Sequence, residues 1–206
     1  MSTGTAKSTD PLVAQFAEEL TAICRKCFQR GLVGGAGGNI SVRIKGREEA
    51  LISATGVSLG DITPATIVRV NFANQVLEAY DGCRPSKETG FHMCIYRLRP
   101  HVGAVVHLHP PYATAFAVRR KELPLVTDGA EVNLKHVPVV GHAPSGSAEL
   151  HRIIEEGLRK YPETKAILME RHGMFTMAPD LTAAYNLADL VEDTAKIALL
   201  SRLIPD

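Results

Sequence analysis

The sequence has 206 residues, of which 45% are hydrophobic, and it shows no linker or repeat, so we expect a single domain over residues 1–206 with a sizeable core. The formal net charge is only +1, and the scattered lysines and arginines form no basic stripe of the kind that binds nucleic acid. No apolar run approaches the roughly 18 residues that a membrane span needs. Residues 1–9 are small and polar and lack the apolar stretch of an export signal, which predicts a flexible N-terminus and a soluble, cytoplasmic protein.

The first half of the chain predicts one helix followed by antiparallel strands. Asp10 before Pro11 is typical of a helix N-terminus, and apolar residues then recur at helical spacing as far as Gly31. A glycine-rich bend at 34–39 leads into residues 40–44, whose alternating apolar side chains predict a half-buried strand. Further strands are predicted at 50–53, 67–71 and 76–78.

The second half interleaves strands and helices. Helices are predicted at 86–97, after Pro110-Pro111, at 147–160 and at 182–203. Strands are predicted at 104–107, 137–140, 166–169 and 174–177. Because these elements lack the regular crossover rhythm of a doubly wound fold, the pattern favours an α/β three-layer arrangement around a mixed sheet.

The four cysteines are expected to be reduced thiols, because the chain shows no export signal. Cys24 and Cys27 have C-x-x-C spacing, but they lie inside the predicted first helix and no second pair follows. We interpret them as two residues on one face of that helix, in preference to a zinc or redox site.

The segment His107-Leu108-His109 is the sharpest local signal for chemistry. Residues i and i+2 of a strand project to the same side, so the two imidazoles can reach one ion, although the spacing alone also fits two partly exposed histidines at a strand edge. His172 stands in a similar setting, between an apolar strand and Gly173. Three histidines with one open position are typical of a catalytic zinc site, and imidazole also suits other divalent metals.

Glu88 opens a predicted helix, where a carboxylate is stabilised by the helix dipole and is commonly a cap. If the fold brings it to the histidines, it could instead ligate the metal or exchange protons with a substrate. The remaining histidines receive simpler interpretations: His92 is expected to pack or hydrogen-bond in a helix. Loop or surface positions are expected for His101, His136, His142 and His151.

Short polar motifs at 37–41, 55–56 and 86–87 combine backbone amides, hydroxyls and one cation, which together suit a phosphate dianion. As isolated features, they are more typical of turn glycines and a solvated lysine. The glycine-rich bend lacks the G-K-[ST] ending of a nucleotide-binding loop, so nucleotide hydrolysis is not indicated.

The motifs resemble those of the class II aldolase/adducin family, in the same order and over about residues 10–203. They are Gly-Gly-Asn-Ile-Ser at 37–41, Ala-Thr-Gly at 54–56, Pro-Ser-Lys-Glu at 85–88, Val-Val-His-Leu-His at 105–109 and Arg-His-Gly at 171–173. The resemblance implies a single-domain α/β/α fold around a mostly antiparallel sheet. It also implies a homotetramer with active sites between subunits.

The resemblance further implies a role for each motif. Zinc, or another divalent metal, would be bound by His107, His109 and His172, and Glu88 would be the acid/base and an occasional metal ligand. The phosphate of a small substrate would be bound by Asn39, Thr55, Gly56, Ser86 and Lys87.

Two departures from the aldolases of the family bear on the reaction. Lys87 replaces a serine, and with the segment Glu192–Lys196 it resembles the 3-oxo-tetronate 4-phosphate decarboxylase branch. The tyrosine that aldolases supply from a neighbouring subunit has no match, and its place falls near Asp128. The resemblance therefore favours decarboxylation to dihydroxyacetone phosphate and CO2 through a metal-stabilised enediolate.

Two alternatives stay open at this point. A fuculose- or ribulose-1-phosphate aldolase would reach the same enediolate by expelling an aldehyde, so the leaving group alone separates it from the decarboxylase. A non-catalytic, adducin-like assembly domain is disfavoured, because all three histidines and Glu88 are intact.

Overall fold

The helices and strands follow the predicted order, in a computed structural model that describes residues 10–80 and 82–205. The strands are β1 (Asn39–Arg43), β2 (Glu49–Ser53), β3 (Ile67–Asn71), β4 (Val76–Glu78), β5 (Ala104–Leu108), β6 (Val139–Val140), β7 (Ala166–Met169) and β8 (Gly173–Ala178). The helices are α1 (Pro11–Gln29), α2 (Thr89–Leu98), α3 (Pro111–Val118), α4 (Asp128–Leu134), α5 (Ala148–Lys160) and α6 (Leu181–Leu200). The predicted flexible N-terminus, 1–9, lies outside the described residues.

All eight strands form one sheet in the order β4-β3-β2-β1-β5-β8-β7-β6. Only β6 and β7 pair in parallel, so the mostly antiparallel sheet that the resemblance implied is confirmed. In the centre, Asn39 of β1 lies opposite His107 of β5, and Leu108 lies opposite Met174 of β8. The start of β1, the end of β5 and the start of β8 therefore meet where these central strands end. We call this end of the strands the edge of the sheet.

Helices cover both faces of the sheet and give the molecule its predicted three layers. One core contains apolar side chains of α1, α3, α4 and α6, and the other contains those of α2 and α5. Alternate residues of β5 enter different cores, with Val106 in the first and Val105 in the second. Full burial of one large apolar side chain contributes about 1.5–3 kcal/mol, so the two cores stabilise the stacking of the layers.

The prediction that β1 is half-buried is wrong. Ile40 and Val42 lie in the first core as expected, but Ser41, which points to the other face, is also fully buried. Its hydroxyl contacts His92 and Tyr96 of α2. A polar residue in an alternating pattern marks a solvent-facing side only when nothing covers that side.

Several element boundaries differ from the prediction. Helix α2 begins at Thr89 instead of 86, and β6 has only two residues. Helix α4 was not predicted; Thr127 caps it by accepting a hydrogen bond from the backbone N–H of Ala130. Helix α6 ends at Leu200 and passes into a short 3-10 turn.

The expectation for His151 is also corrected, whereas that for the cysteines holds. His151 lies within α5, and its ring fills the space beside Gly90 of α2. Cys24 and Cys27 are buried, unpaired thiols on the core face of α1.

In the described ranges, no helix combines the length and apolar character that crossing a bilayer requires.

Glu192 of α6 caps the first turn of α3. Its carboxylate accepts hydrogen bonds from the backbone N–H groups of Tyr112 (3.0 Å) and Ala113 (2.8 Å), and it is almost fully buried. Helix α3 follows His109-Pro110 directly, so this cap fixes the segment that leaves the histidine pair. A carboxylate at a helix N-terminus is favoured by the helix dipole.

We expect Glu192→Ala to lower the free energy of unfolding by about 2–4 kcal/mol, because two buried N–H groups lose their acceptor. Urea unfolding followed by circular dichroism measures the loss. Glu155→Ala is the matched control, since Glu155 pairs with Arg159 on the exposed face of α5 and such pairs contribute about 0–1 kcal/mol. Equal losses in the two variants would show that the cap contributes no stability.

Candidate metal centre

Three histidines converge at the sheet edge where β5 ends and β8 begins. His107 is the fourth residue of β5, His109 follows the strand, and His172 lies in the turn between β7 and β8. Their ring nitrogens offer three ligand atoms that all lie within 4.8 Å of one another. His107 is fully buried, whereas His109 and His172 are partly exposed. The structure thus brings together the residues for which the sequence predicted a common ion.

Hydrogen bonding sets the orientation of the central ring. Nδ1 of His107 donates to the carbonyl oxygen of Met174 at 2.8 Å, so Nε2 presents its lone pair to the centre. Burial, with contributions from His107 and His172, lowers the pKa of His109 to about 3. His109 is therefore neutral at pH 7, which is the state in which an imidazole can bind a metal.

The donor set fits a divalent metal ion. Nitrogen atoms held at about 2.0–2.1 Å by one tetrahedral zinc ion lie roughly 3.3 Å apart. The Nε2 atoms of His107 and His109 are 3.1 Å apart. Oxygen atoms of Glu88 lie 3.2 Å from Nε2 of His107 and 3.1 Å from Nε2 of His172. Nitrogen lone pairs and a carboxylate at these separations repel one another unless a proton or cation lies among them.

Glu88 is an ionised, buried carboxylate and not a helix cap. It occupies the N-cap position of α2, but its side chain makes no capping hydrogen bond. One oxygen, Oε2, accepts from Nδ2 of Asn39 at 2.8 Å, and the other, Oε1, accepts from the hydroxyl of Ser145 at 2.7 Å. Burial alone raises the pKa of Glu88, but His107 and His172 outweigh it and hold the pKa well below its usual range.

Two motif glycines make room for the His109 ring. A Cβ on Gly37 would lie 2.8 Å from Nδ1 of His109. Gly173 has φ +148°, and a Cβ there would lie 2.3 Å from the Leu108 carbonyl oxygen and 2.8 Å from Cδ2 of His109. Part of the glycine-rich pattern therefore serves the packing of the histidines.

A cavity of about 260 Å³ opens beside the histidines and Glu88. Its walls include all five residues that were expected to bind phosphate: Asn39, Thr55, Gly56, Ser86 and Lys87. Both polar atoms of the Asn39 side chain are already engaged, with Nδ2 on Glu88 and Oδ1 on Nε2 of His92 at 2.6 Å. Thr55 and Lys87 are exposed and available to a ligand.

Sequence reasoning missed Ser145. It lies in the loop between β6 and α5, 57 residues from Glu88 along the chain, and no spacing pattern marked it.

The expectations for the other histidines are met apart from His151. His92 is buried and hydrogen-bonded, and His101, His136 and His142 are exposed. Asp128, near which the resemblance places the aldolase tyrosine, is exposed and is not among the residues that line the cavity.

The chain is similar to several aldolases in sequence. L-fuculose phosphate aldolase of Methanococcus vannielii is 34% identical over 180 residues, covering 87% of this chain and 93% of that protein. The 5-methylthioribulose-1-phosphate/5-deoxyribulose-1-phosphate aldolase of Escherichia coli is 32% identical over 184 residues, covering 89% of this chain and 83% of that protein.

Solved structures with this fold extend over nearly the whole chain. One described as L-fuculose 1-phosphate aldolase has a TM-score of 0.85 at 28% identity, covering 100% of this chain and 94% of its own. YgbL from Escherichia coli, named as a candidate aldolase, epimerase or decarboxylase, has a TM-score of 0.80 at 28% identity, with coverages of 91% and 90%. Residues 18–199 match the family model described as Class II Aldolase and Adducin N-terminal domain. Since that match spans most of the sequence, the chain belongs to the class II aldolase and adducin N-terminal domain family.

Proposed function

We propose that the protein is a divalent-metal-dependent lyase that breaks a carbon–carbon bond in a small phosphorylated sugar. The convergence of His107, His109 and His172 beside the buried carboxylate of Glu88 carries the proposal, because His109, His172 and Glu88 also line a single cavity. The hydroxyls of Thr55 and Ser86 and the cation of Lys87 lie in the same cavity and suit a phosphate dianion. Metal centre and phosphate site would thus bind two ends of one small substrate.

His107, His109 and His172 would hold the metal, with Glu88 as a further ligand in the resting state. Zinc is the preferred ion for a three-histidine site, and other divalent metals also accept imidazole. When bound, the ion supplies a Lewis acid that stabilises negative charge developing on the oxygen atoms of the substrate. Asn39 and Ser145 hold the Glu88 carboxylate beside that position.

Aldol cleavage of a ketose 1-phosphate is the reaction that we favour, and the names of the similar proteins support it more than decarboxylation. The C3–C4 bond breaks, the C4 hydroxyl loses its proton, and C3 gains one to give dihydroxyacetone phosphate and an aldehyde. Glu88 starts as a carboxylate, so it can accept a proton and return it to C3. The reaction needs no net proton from solvent.

Decarboxylation of 3-oxo-tetronate 4-phosphate is the second candidate. Two features support it: Lys87 stands in place of a serine, and the aldolase tyrosine has no match near Asp128. One similar structure, YgbL, also has decarboxylase among its candidate activities. Loss of CO2 from the carboxylate releases no proton, so Glu88 would have to draw from water the proton that it delivers to carbon.

A homotetramer with active sites between subunits and a cytoplasmic location belong to the same proposal, through the family resemblance. A neighbouring subunit would then supply the groups that this chain lacks around the aldehyde end of the substrate. The exposed residues Arg120, His142 and Arg171 line a cleft beside the turn that carries His172, and they would be candidates for contact with such a neighbour.

We expect the purified, zinc-loaded protein to release dihydroxyacetone phosphate from L-fuculose 1-phosphate or a ribulose 1-phosphate. A coupled NADH assay measures the triose phosphate, and a parallel assay with 3-oxo-tetronate 4-phosphate measures CO2. If only the 3-oxo acid is turned over, the protein is a decarboxylase and not an aldolase. If none of these substrates is turned over, the result would favour the non-catalytic, adducin-like assembly domain.

We expect His109→Ala to fold normally and to bind zinc roughly a hundredfold or more weaker, since even loss of an outer-shell partner costs about 10–100-fold in affinity. Metal analysis after dialysis and a competition titration with a chelator measure the loss. His101→Ala removes an exposed histidine outside the centre and is the control. Equal zinc content in the two variants would contradict the assignment of His109 as a ligand.

We expect Glu88→Gln to keep the metal but to lower kcat by roughly a hundredfold or more, the typical contribution of a positioned acid/base. Steady-state kinetics and metal analysis together test this. Glu49→Gln is the control, because Glu49 is a partly buried carboxylate that pairs with Arg69 outside the cavity. A Glu88→Gln enzyme as fast as the control would refute the proton-transfer role.

A further inference from the structure

A chain of buried side chains leads from the Glu88 carboxylate into the middle of the molecule. Oε2 of Glu88 contacts Nδ2 of Asn39 (2.8 Å), Oδ1 of Asn39 contacts Nε2 of His92 (2.6 Å), and Nδ1 of His92 contacts Oγ of Ser41 (2.7 Å). The last contact joins Oγ of Ser41 to the hydroxyl of Tyr96 at 2.7 Å. All five residues are at most 4% exposed, so solvent does not compete for these hydrogen bonds.

This line of hydrogen-bonded side chains is possible because four residues of the helix and two residues of the strand advance by nearly the same distance. Glu88, His92 and Tyr96 are spaced four residues apart at the N-cap and along α2, which advances the position by about 6 Å each time. Asn39 and Ser41 are two residues apart on β1, an advance of about 6.6 Å. Side chains of the helix and the strand therefore alternate along a single line.

The direction of every hydrogen bond follows from the carboxylate. Oε2 of Glu88 accepts from the NH2 group of Asn39, so the Asn39 carbonyl faces His92. Nε2 of His92 therefore donates. The ring of His92 is fully buried, which disfavours its charged form, so the ring is neutral and its Nδ1 accepts.

The remaining two contacts are then determined as well. Among the described residues, the Ser41 hydroxyl is the donor in contact with Nδ1 of His92, so it donates there and its oxygen accepts from Tyr96. Reversing one link would turn the Asn39 carbonyl towards the Glu88 carboxylate, where the two oxygens would repel each other. One arrangement alone satisfies every group.

We propose that Asn39, His92, Ser41 and Tyr96 form a positioning relay, which locks the Asn39 amide with its NH2 group towards Glu88 and so fixes the carboxylate beside the metal site. The proposal rests on the proposed function and adds positioning residues that do not touch the substrate. It also assigns the Asn39 side chain to Glu88, whereas the family resemblance had assigned it to phosphate.

The relay controls the carboxylate without adding charge to it. Asn39 and Ser145 are neutral donors, one on each oxygen of Glu88, so the carboxylate keeps a fixed direction and remains able to accept a proton. Loss of a distant link frees the His92 ring to place its hydrogen on Nδ1. The Asn39 amide can then rotate, and Glu88 loses one of its two neutral donors.

The first test measures the tautomer of His92 in the zinc-loaded protein by 15N NMR, with the signal assigned by its loss in His92→Gln. We expect a neutral ring protonated on Nε2 in the wild type, and a mixture with the Nδ1-protonated form in Ser41→Ala. A wild-type ring protonated on Nδ1, or on both nitrogens, would overturn the relay. This readout does not depend on any enzymatic activity.

The second test measures the exchange of a dihydroxyacetone phosphate carbon-bound hydrogen with deuterium oxide, a proton transfer common to the aldolase and the decarboxylase. We expect Ser41→Ala to lower the kcat of exchange about tenfold. The loss of one net hydrogen bond can lower a rate by about this factor. KM and zinc content should stay within about twofold. Tyr96→Phe, which removes only the outermost link, should lower kcat about threefold and replaces Ser41→Ala if that variant does not fold.

Thr176→Val is the matched control, since it removes a buried hydroxyl bonded to the Ala184 carbonyl, outside the relay. Rates for Ser41→Ala and Tyr96→Phe equal to that of Thr176→Val would overturn the positioning role. Absence of exchange in the wild type would instead contradict the proposed function, and the tautomer of His92 would then decide on the relay by itself.

Discussion

A negative charge buried at the edge of the central sheet organises the structure around it. Glu88 is only 3% exposed, and burial of an unpaired carboxylate would be prohibitively costly. Two histidines and two neutral donors face its oxygens, from four separate segments of the chain. The positions of β1, β5, the β7–β8 turn and the loop before α5 therefore all depend on how this charge is stabilised.

The antiparallel sheet makes this convergence possible. In antiparallel neighbours the end of one strand meets the start of the next, so β1, β5 and β8 present Asn39, His107 and the turn residue His172 at one edge. Helix α2 begins at the same edge and supplies Glu88. Away from the edge, Glu192 fastens α3 to α6 and so supports the segment after His109.

The site has a functional asymmetry. His107 and Glu88 are buried and held by hydrogen bonds, whereas Lys87 and Thr55, in the wall of the cavity, are exposed. The rigid side suits groups that must keep one geometry during bond breaking, because small displacements there slow the chemistry. In the proposed function, the exposed residues would bind the phosphate. The buried residues would serve aldol cleavage and decarboxylation equally, so groups at the open end of the cavity would decide between the two reactions.

The sequence by itself determined the order and type of most elements, because apolar periodicity reports the core-facing side of a helix or strand whatever lies opposite. It also predicted a common ion for His107, His109 and His172 from their residue types and neighbouring strands, while for Glu88 it left a helix cap as the alternative. Only the tertiary structure decided what covers each face. The burial of Ser41, the hydrogen bond from Ser145 and the orientation of the Asn39 amide depend on partners 49 to 57 residues away. Such partners leave no periodic trace, because the distance along the chain between hydrogen-bonded side chains is set by the packing of layers and not by the repeat of any one element.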